Sequence, residues 1–315
     1  MQKFSAIRNV IPQATINNLH DRTLAIVEDL RTTYFPDLSD QDVLENYMHS
    51  KPSRFSRAVA LRLMDSQTIA VIQPDLTSAA NGFWGEKDYV FYPVFYVRLS
   101  PCHTPGTHLL DSQPHYDKSF GCYAYSFWMP LQTSNEETGG ICLYPDEDVA
   151  REYVRRNENN RNDFLSYRDN SADLDQPLRG NAKVFSLEPG DVVTFDSDML
   201  HGATRPGTRN RISFDVRLLS LAEQPEDSCP SRLINLFNSH IDLSNALNLM
   251  SLGDPDGAAM ALQKVDEAAL PDQMASVLTA FRARTNFPNP KDLFDASPWQ
   301  SEYAWFQALP DDDGQ

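Results

Sequence analysis

The chain has 315 residues, of which 41% are hydrophobic and 10% aromatic, and this composition is typical of a folded globular protein. Its formal net charge of −17 disfavours nucleic acids and anionic membrane surfaces as partners, because the field of the whole molecule would repel both. A small-molecule partner is the remaining expectation. No segment has the continuous apolar core of a signal peptide or a membrane span, so the sequence predicts a cytoplasmic protein.

Three regions follow one another along the chain. Residues 1–67 predict a helical support region, in which "DRTLAIVEDLRTTYF" has helical periodicity and Pro36 ends the helix. Residues 68–222 predict a β core of short strands separated by Gly, Pro and Asn clusters, typical of a sandwich or a closed barrel. The strand-like runs are "TIAVIQ", "YVFYPVFYVRLS", "SFGCYAYSFWMPL", "GGICLYP", "AKVFSL", "DVVTFDS" and "RISFDVRLLS". Residues 223–315 predict a helical extension, and we expect a single catalytic domain overall.

One polar insertion, residues 146–178, interrupts the β pattern, and its composition predicts a long loop. Its arginines would either form a cationic lid over an anionic substrate or lie on a solvated face. The four cysteines include no Cys-x-x-Cys pair, which favours free buried thiols over a disulfide framework. A zinc site in "PCHTPGTH" is disfavoured, because two histidines and one cysteine there lack the spacing of a closed tetrahedral site.

The segment "QPHYDKSF" places His115 and Asp117 two residues apart, a spacing at which both side chains of an extended segment point the same way. By itself the triplet is weak evidence, because a chance His-x-Asp is common in an acidic chain. The segment "LEPGDVVTFDSDMLHGATRPGTRNRISFDVRLL" adds His201 at the end of a strand and Arg211 at the start of the next. Two imidazoles and one carboxylate form a facial triad for ferrous iron.

Arg211 and Ser213 would complete such a site. A triad that leaves open positions on the metal suits a cosubstrate that chelates through two oxygens, and its far carboxylate then needs a buried cation. Arginine grips a carboxylate through two parallel donors, and Ser213 can add a hydroxyl from the same side of the strand.

Together, the His-Tyr-Asp triplet, "PGDVVTFDSDMLHG" and "RIS" resemble the iron(II)- and 2-oxoglutarate-dependent oxygenases, specifically the phytanoyl-CoA dioxygenase-like family, over roughly residues 89–219. The resemblance implies a mainly β fold with flanking helices around a double-stranded β-helix (jelly-roll, cupin-like) core. It implies Fe(II) bound by His115, Asp117 and His201, and 2-oxoglutarate anchored by Arg211 and Ser213, with O2 as the second cosubstrate.

Halogenating relatives replace the metal carboxylate by a small residue, whereas this chain retains Asp117, so hydroxylation is favoured over halogenation. Desaturation and ring closure stay open. After "GGICLYP" the chain continues "PDEDVARE" where many relatives have a Pro-Gly-Ser-His turn, so their substrates do not transfer to this chain. The insertion and the C-terminal helices favour a small molecule of specialised metabolism as substrate.

Several further residues near the motifs are candidates for a substrate or cosubstrate pocket. They are Tyr96, Arg98, Tyr116, Lys118 and Tyr125. The alternative function is a non-oxidative metal-binding jelly-roll protein, for binding or isomerisation, and a protein-modifying hydroxylase is a weaker third. Arg211 separates the first two, because a site that never binds 2-oxoglutarate has no need of a buried guanidinium there. Either a monomer or a homodimer is compatible with the sequence.

Overall fold

The computed structural model divides the chain into two compact units, each assembled from segments distant in sequence. The first contains residues 1–20, 75–92 and 97–228, and the second contains residues 21–74, 93–96 and 229–315. The structure describes residues 3–34, 52–92, 96–100, 114–116, 124–135, 137–157, 178, 180–204, 208–223, 240–251, 254–270, 275, 278 and 279.

Short strands make up the core of the first unit. In chain order, those within the described residues are β1 (Phe4–Ile7), β2 (Tyr89–Phe91), β3 (Tyr96–Ser100), β4 (Tyr125–Pro130), β5 (Ile141–Leu143), β6 (Lys183–Val184), β7 (Val192–Asp196), β8 (His201–Ala203) and β9 (Arg211–Ser220). Most of the runs of β-branched and aromatic residues therefore form strands as predicted.

The strands form two sheets. The larger has the order β1-β7-β4-β9-β2, with β3 also paired to β9, and the smaller has the order β6-β5-β8. The registered pairs are antiparallel. From β4 onward, the chain alternates between the sheets. Strands β4, β7 and β9 belong to the larger sheet, and β5, β6 and β8 belong to the smaller one. This interleaving is the jelly-roll, or double-stranded β-helix, topology. The predicted fold class is confirmed, and the sheets of the described residues do not close into a barrel.

Strand β9 crosses the middle of the larger sheet with both of its faces covered. All ten of its residues are buried, although alternate side chains of a strand point to opposite faces. One face is apolar and carries Ile212, Phe214 and Val216. The other face carries the polar row Arg211, Ser213, Asp215 and Arg217. Buried polar groups need hydrogen-bond or ionic partners, which other parts of the chain or a ligand can supply.

The helices of the described residues are α1 (Gln13–Tyr34), α2 (Pro52–Leu63), α3 (Ser66–Trp84), α4 (Glu147–Asn157), α5 (Ile241–Ser251) and α6 (Pro255–Leu262). Within these described ranges, none of the helices is long and apolar enough to cross a membrane.

The run "TIAVIQ", which the sequence predicts as a strand, lies instead inside α3. Thr68, Ile72, Leu76 and Ala80 are all buried and lie four residues apart, which is the spacing of one helix face. A short β-branched run does not distinguish a strand from a buried helix segment. The longer four-residue periodicity decides in favour of the helix.

The polar insertion also begins as a helix, α4, rather than as the predicted loop. Its inner face is held by Ala150 and Tyr153, which pack with Leu178 and Leu200. Arg151 is exposed and lies 3.6 Å from Glu147, one turn before it. Arg155 is exposed as well, with 69% of its side chain accessible, so both arginines lie on a solvated face of α4. Residues 158–177 of the insertion lie outside the described residues.

Helix α4 begins at a side-chain cap. The Asp146 carboxylate accepts hydrogen bonds from the backbone N–H groups of Asp148 and Val149, both at 3.1 Å. We expect Asp146→Ala to lower the free energy of unfolding by about 1 kcal/mol, because two backbone donors lose their acceptor. Asp146→Asn should retain most of the stability. Urea unfolding followed by circular dichroism measures both, and equal losses in the two variants would contradict the capping role.

The face of the larger sheet opposite the polar row is covered by Trp84, at the end of α3. Its indole N–H donates to the Thr194 hydroxyl at 2.9 Å, and its ring lies 4.6 Å from that of Tyr125. The Tyr125 hydroxyl donates to Glu223 and accepts from Lys87, both at 2.7 Å. Burial and the hydrogen bond to Glu223 raise the pKa of Tyr125, so this phenol stays protonated.

The second unit contains a buried ionic network around Asp65. Its carboxylate accepts from Lys264 at 2.5 Å, from Arg22 at 2.9 Å and from the Thr68 backbone at 2.7 Å. Burial alone would raise the pKa of Asp65, but the bonds from Lys264 and Thr68 and the charge of Arg22 hold it below the ordinary value.

The lowered pKa of Asp65 predicts a specific pH dependence of stability. The ionised carboxylate favours the folded state above the ordinary pKa near 4, and this contribution is lost as the pH falls toward the lower folded-state pKa. We expect Asp65→Asn to be clearly less stable than wild type at pH 7, with a difference that shrinks below pH 4. Urea unfolding between pH 3 and pH 7 measures this. A difference that does not change with pH would contradict the assignment.

Candidate metal and cosubstrate site

His115 and His201 lie directly opposite each other on neighbouring backbone segments. Each backbone N–H donates to the other residue's carbonyl, at 2.8 Å from His115 and 3.0 Å from His201. The two residues form an isolated antiparallel bridge, and their ring centroids are 4.3 Å apart. Residues far apart in sequence are thus held by reciprocal backbone bonds so that two imidazoles lie side by side.

The proton of His201 has a defined position. Its Nδ1 lies 3.0 Å from the carbonyl oxygen of Met199. A carbonyl oxygen can only accept, so Nδ1 donates a proton to it, and the tautomer that this bond favours has its lone pair on the buried Nε2. The Phe195 ring lies 4.6 Å from the His201 ring and shields it. A neutral imidazole oriented through its other nitrogen is the usual form of a histidine metal ligand.

The predicted carboxylate of the triad, Asp117, lies outside the described residues, as does Lys118. Within the described segments, no cluster of three histidine, cysteine, aspartate or glutamate side chains could hold a metal ion. Two of the three predicted ligands are therefore seen together, and their donor chemistry fits ferrous iron. The role of Asp117 stays a prediction.

Arg211 is buried, with 2% of its surface exposed. Its Nη1 donates to the carbonyls of Thr138 at 3.3 Å and Thr204 at 3.1 Å, and its Nη2 donates to the Ser100 hydroxyl at 3.0 Å. Thr204 directly follows β8, the strand that begins at His201. These three acceptors fix the plane of the guanidinium close to the strand that carries a predicted metal ligand.

Ser213 and Trp128 lie on the same interior face as Arg211. The guanidinium carbon of Arg211 is 6.0 Å from the Trp128 ring centroid. Ser213 is fully buried, and its hydroxyl has no hydrogen-bond partner within the described part of the chain. A buried hydroxyl of this kind needs a partner, and a ligand carboxylate held by Arg211 would supply one.

The remaining predicted pocket residues divide between different surroundings. Arg98 lies near the interior polar row, with Nη2 3.4 Å from an Asp215 carboxylate oxygen. Tyr96 begins the same strand as Arg98. Tyr116 packs against the apolar cluster beneath α4. Tyr125 belongs to the opposite face of β4 from Trp128, against Trp84, so the structure does not bring it to the interior row.

Among the buried polar residues of β9, the sequence motifs did not single out Asp215. The signal was available in "RISFDVR", where polar and apolar residues alternate through a strand. The supporting acceptors Thr138 and Thr204 could not be found this way, because they contribute backbone carbonyls. Cys142 is a free buried thiol, as predicted, and burial raises its pKa; the other three cysteines lie outside the described residues.

The family model described as phytanoyl-CoA dioxygenase (PhyH) matches residues 4–211 of this chain, which is more than half of its length. Among proteins of curated function, none matches this chain in sequence.

Three solved structures illustrate the similarity to known folds. A non-heme monooxygenase, ThoJ, in complex with nickel is 12% identical, with a TM-score of 0.44 over 69% of this chain and 74% of that one. The non-heme alpha-ketoglutarate-dependent carbocyclase SnoK from nogalamycin biosynthesis is 13% identical, with a TM-score of 0.45 over 70% and 80%. EctD from S. alaskensis, solved with 2-oxoglutarate and 5-hydroxyectoine, is 13% identical, with a TM-score of 0.39 over 72% and 78%.

Proposed function

This chain belongs to the phytanoyl-CoA dioxygenase family, and we propose that it hydroxylates a small-molecule substrate of specialised metabolism. Membership of this family makes it an iron(II)- and 2-oxoglutarate-dependent oxygenase. Desaturation and ring closure of such a substrate are variants of the same proposal, since both also begin with removal of a hydrogen atom. We propose further that it acts in the cytoplasm as a monomer or homodimer, with no nucleic-acid or membrane partner.

The observation that carries the proposal is the pairing of His115 with His201. Their backbones bond reciprocally and their rings lie 4.3 Å apart, and the Met199 carbonyl orients the His201 imidazole through Nδ1. Together with the carboxylate of Asp117, these imidazoles would hold iron(II) on one face and leave positions for ligands. The iron, when bound, supplies the activation of dioxygen, coupled to the conversion of 2-oxoglutarate to succinate and carbon dioxide.

Arg211 is the residue that we assign to the distal carboxylate of 2-oxoglutarate. Its guanidinium is buried and is oriented by three acceptors from the chain, so little side-chain entropy is lost when a carboxylate binds. Ser213 would donate its buried hydroxyl to the same carboxylate. The aromatic ring of Trp128 borders the guanidinium and limits access of water.

Two features support oxygenation over the alternatives. Asp117 retains the carboxylate that halogenating relatives lack, which favours hydroxylation over halogenation. The buried Arg211 favours a 2-oxoglutarate enzyme over a non-oxidative metal-binding jelly-roll protein, because its oriented guanidinium suits a carboxylate for which a site that never binds 2-oxoglutarate has no need.

The test is a screen of small molecules for stimulated succinate formation by the iron-loaded protein with 2-oxoglutarate and oxygen. We expect a productive substrate to raise succinate formation well above the substrate-free rate and to gain the mass of one oxygen atom. A loss of two hydrogen atoms would indicate desaturation or ring closure. Absence of 2-oxoglutarate binding to the anaerobic iron-loaded protein would contradict the proposed function itself.

A further inference from the structure

Asp215 is a buried carboxylate in the interior row that neither the metal site nor the 2-oxoglutarate anchor uses. It is 3% exposed and lies on the same face of β9 as Arg211 and Ser213. One carboxylate oxygen, Oδ2, lies 3.4 Å from Arg98 Nη2 and 3.7 Å from Arg217 Nη2. The other oxygen, Oδ1, is buried and has no hydrogen-bond partner among the residues that the structure describes.

The strand register places Asp215 between the two parts of the proposed site. Arg217 lies opposite Ser126 on β4, and Ser126 lies opposite Phe195 on β7. The Phe195 ring contacts that of His201 at 4.6 Å. Arg217, Ser126 and Phe195 therefore lie at the level of His201 along the sheet. Arg211, at the start of β9, lies on the other side of Asp215.

An aromatic residue of the neighbouring strand β4 lies beside Asp215. Asp215 lies opposite Trp128, whose ring also borders Arg211. Arg98, which holds Oδ2, has a side chain that is 32% exposed. The ionic cluster of Arg98, Asp215 and Arg217 therefore extends from the buried row to the partly exposed Arg98 side chain.

The charges around Asp215 limit what its Oδ1 can accept. Two guanidinium groups already lie within 4 Å of the carboxylate and offset its charge, so Oδ1 does not need a cationic partner. A substrate ammonium group would add a further positive charge to a buried cluster, which is unfavourable at low dielectric. A neutral hydroxyl or amide N–H satisfies the oxygen without that cost.

We propose that Asp215 is a substrate-recognition residue whose Oδ1 accepts a hydrogen bond from a neutral hydroxyl or amide donor of the substrate. Arg98 and Arg217 are positioning residues that hold its Oδ2. The substrate class is accordingly a molecule that bears at least one such neutral donor. This inference rests on the proposed function, because it places the substrate beside the metal and 2-oxoglutarate.

The experiment uses three probes with one ring and one variable group: cyclohexanol, cyclohexylamine and cyclohexanecarboxylate. Each is titrated into the anaerobic protein loaded with iron(II) and 2-oxoglutarate, and binding is followed by the visible absorption of the complex and by ligand-observed NMR. We expect cyclohexanol to bind at least tenfold more tightly than cyclohexylamine. In Asp215→Asn we expect cyclohexanol to bind roughly ten- to hundredfold more weakly, the range for a hydrogen bond to a charged group.

The outcomes separate this inference from the proposed function. Suppose that 2-oxoglutarate binds wild type and Asp215→Asn equally. If cyclohexanol also binds the two proteins equally, or if none of the three probes binds, Asp215 does not recognise substrate. Tightest binding by cyclohexanecarboxylate, unchanged in Asp215→Asn, would make the cluster an anion site and overturn the assignment. If Asp215→Asn does not fold, the wild-type preference for cyclohexanol over cyclohexylamine decides. Loss of 2-oxoglutarate binding by the wild type would instead refute the proposed function.

Discussion

Replacing His201 by alanine is expected to abolish iron-dependent succinate formation. The His201 imidazole is buried, its Nδ1 is bonded to the Met199 carbonyl, and its ring lies 4.3 Å from that of His115. Loss of a hydrogen-bonding group around a metal ligand already costs 10- to 100-fold in metal affinity or activity. Removal of the ligand itself should therefore lower iron affinity and turnover by at least about a hundredfold. Iron content per chain and succinate formation measure the two effects.

The matched control is His20→Ala, which removes a half-buried histidine from α1, outside both sheets. It should leave the iron content and turnover near the wild-type values. Circular dichroism of His201→Ala should retain the wild-type β signal, because the strand pairing with His115 uses backbone groups that alanine also has. Wild-type iron content in folded His201→Ala would show that the metal is bound elsewhere.

Replacing Arg211 by alanine is expected to weaken 2-oxoglutarate binding by a hundredfold or more. Its removal would leave a desolvated carboxylate without a cationic partner, a penalty on the order of 3–5 kcal/mol. Arg211→Lys keeps the charge but lacks two parallel donors, so it should bind 2-oxoglutarate more tightly than Arg211→Ala and more weakly than wild type. The measurement is a 2-oxoglutarate titration of the anaerobic iron-loaded protein, followed by its visible absorption.

Arg151→Ala is the matched control, since the Arg151 side chain is 72% exposed on α4. It should leave the titration unchanged. Because Arg211 also donates to Thr138, Thr204 and Ser100, the urea midpoint of each variant must be measured alongside. A stable Arg211→Ala protein that binds 2-oxoglutarate as wild type does would move the anchor to another cation and would reopen the non-oxidative alternative.

The sequence by itself determined the chemical types of the site and most of the strands. The motifs contain two histidines, one aspartate and one arginine-serine pair. Few kinds of binding site use this combination of metal ligands and carboxylate-binding groups. The strands β4, β7 and β9 follow from β-branched and aromatic runs bounded by turn residues. The polar row on β9 can also be predicted from the sequence. Alternate side chains of a strand point to opposite faces, whatever the rest of the chain does.

The sequence misled where a local pattern has two physical solutions. "TIAVIQ" is compatible with a strand or a buried helix, and the packing of Ile72 and Leu76 selected the helix. The insertion is polar enough to predict a loop, but the burial of Ala150 and Tyr153 against Leu200 stabilises α4. In both cases the free energy of burying one face outweighed the local preference.

Only the tertiary structure decided which of these groups meet. The reciprocal backbone bonds of His115 and His201 join segments far apart in sequence, and no local pattern contains that pairing. The placement of Tyr125 on the far side of β4, and of Asp215 opposite Trp128, likewise depends on strand register. Register is set by the burial of whole sheet faces, because a slip of one residue would exchange the polar and apolar sides of the strand that slips.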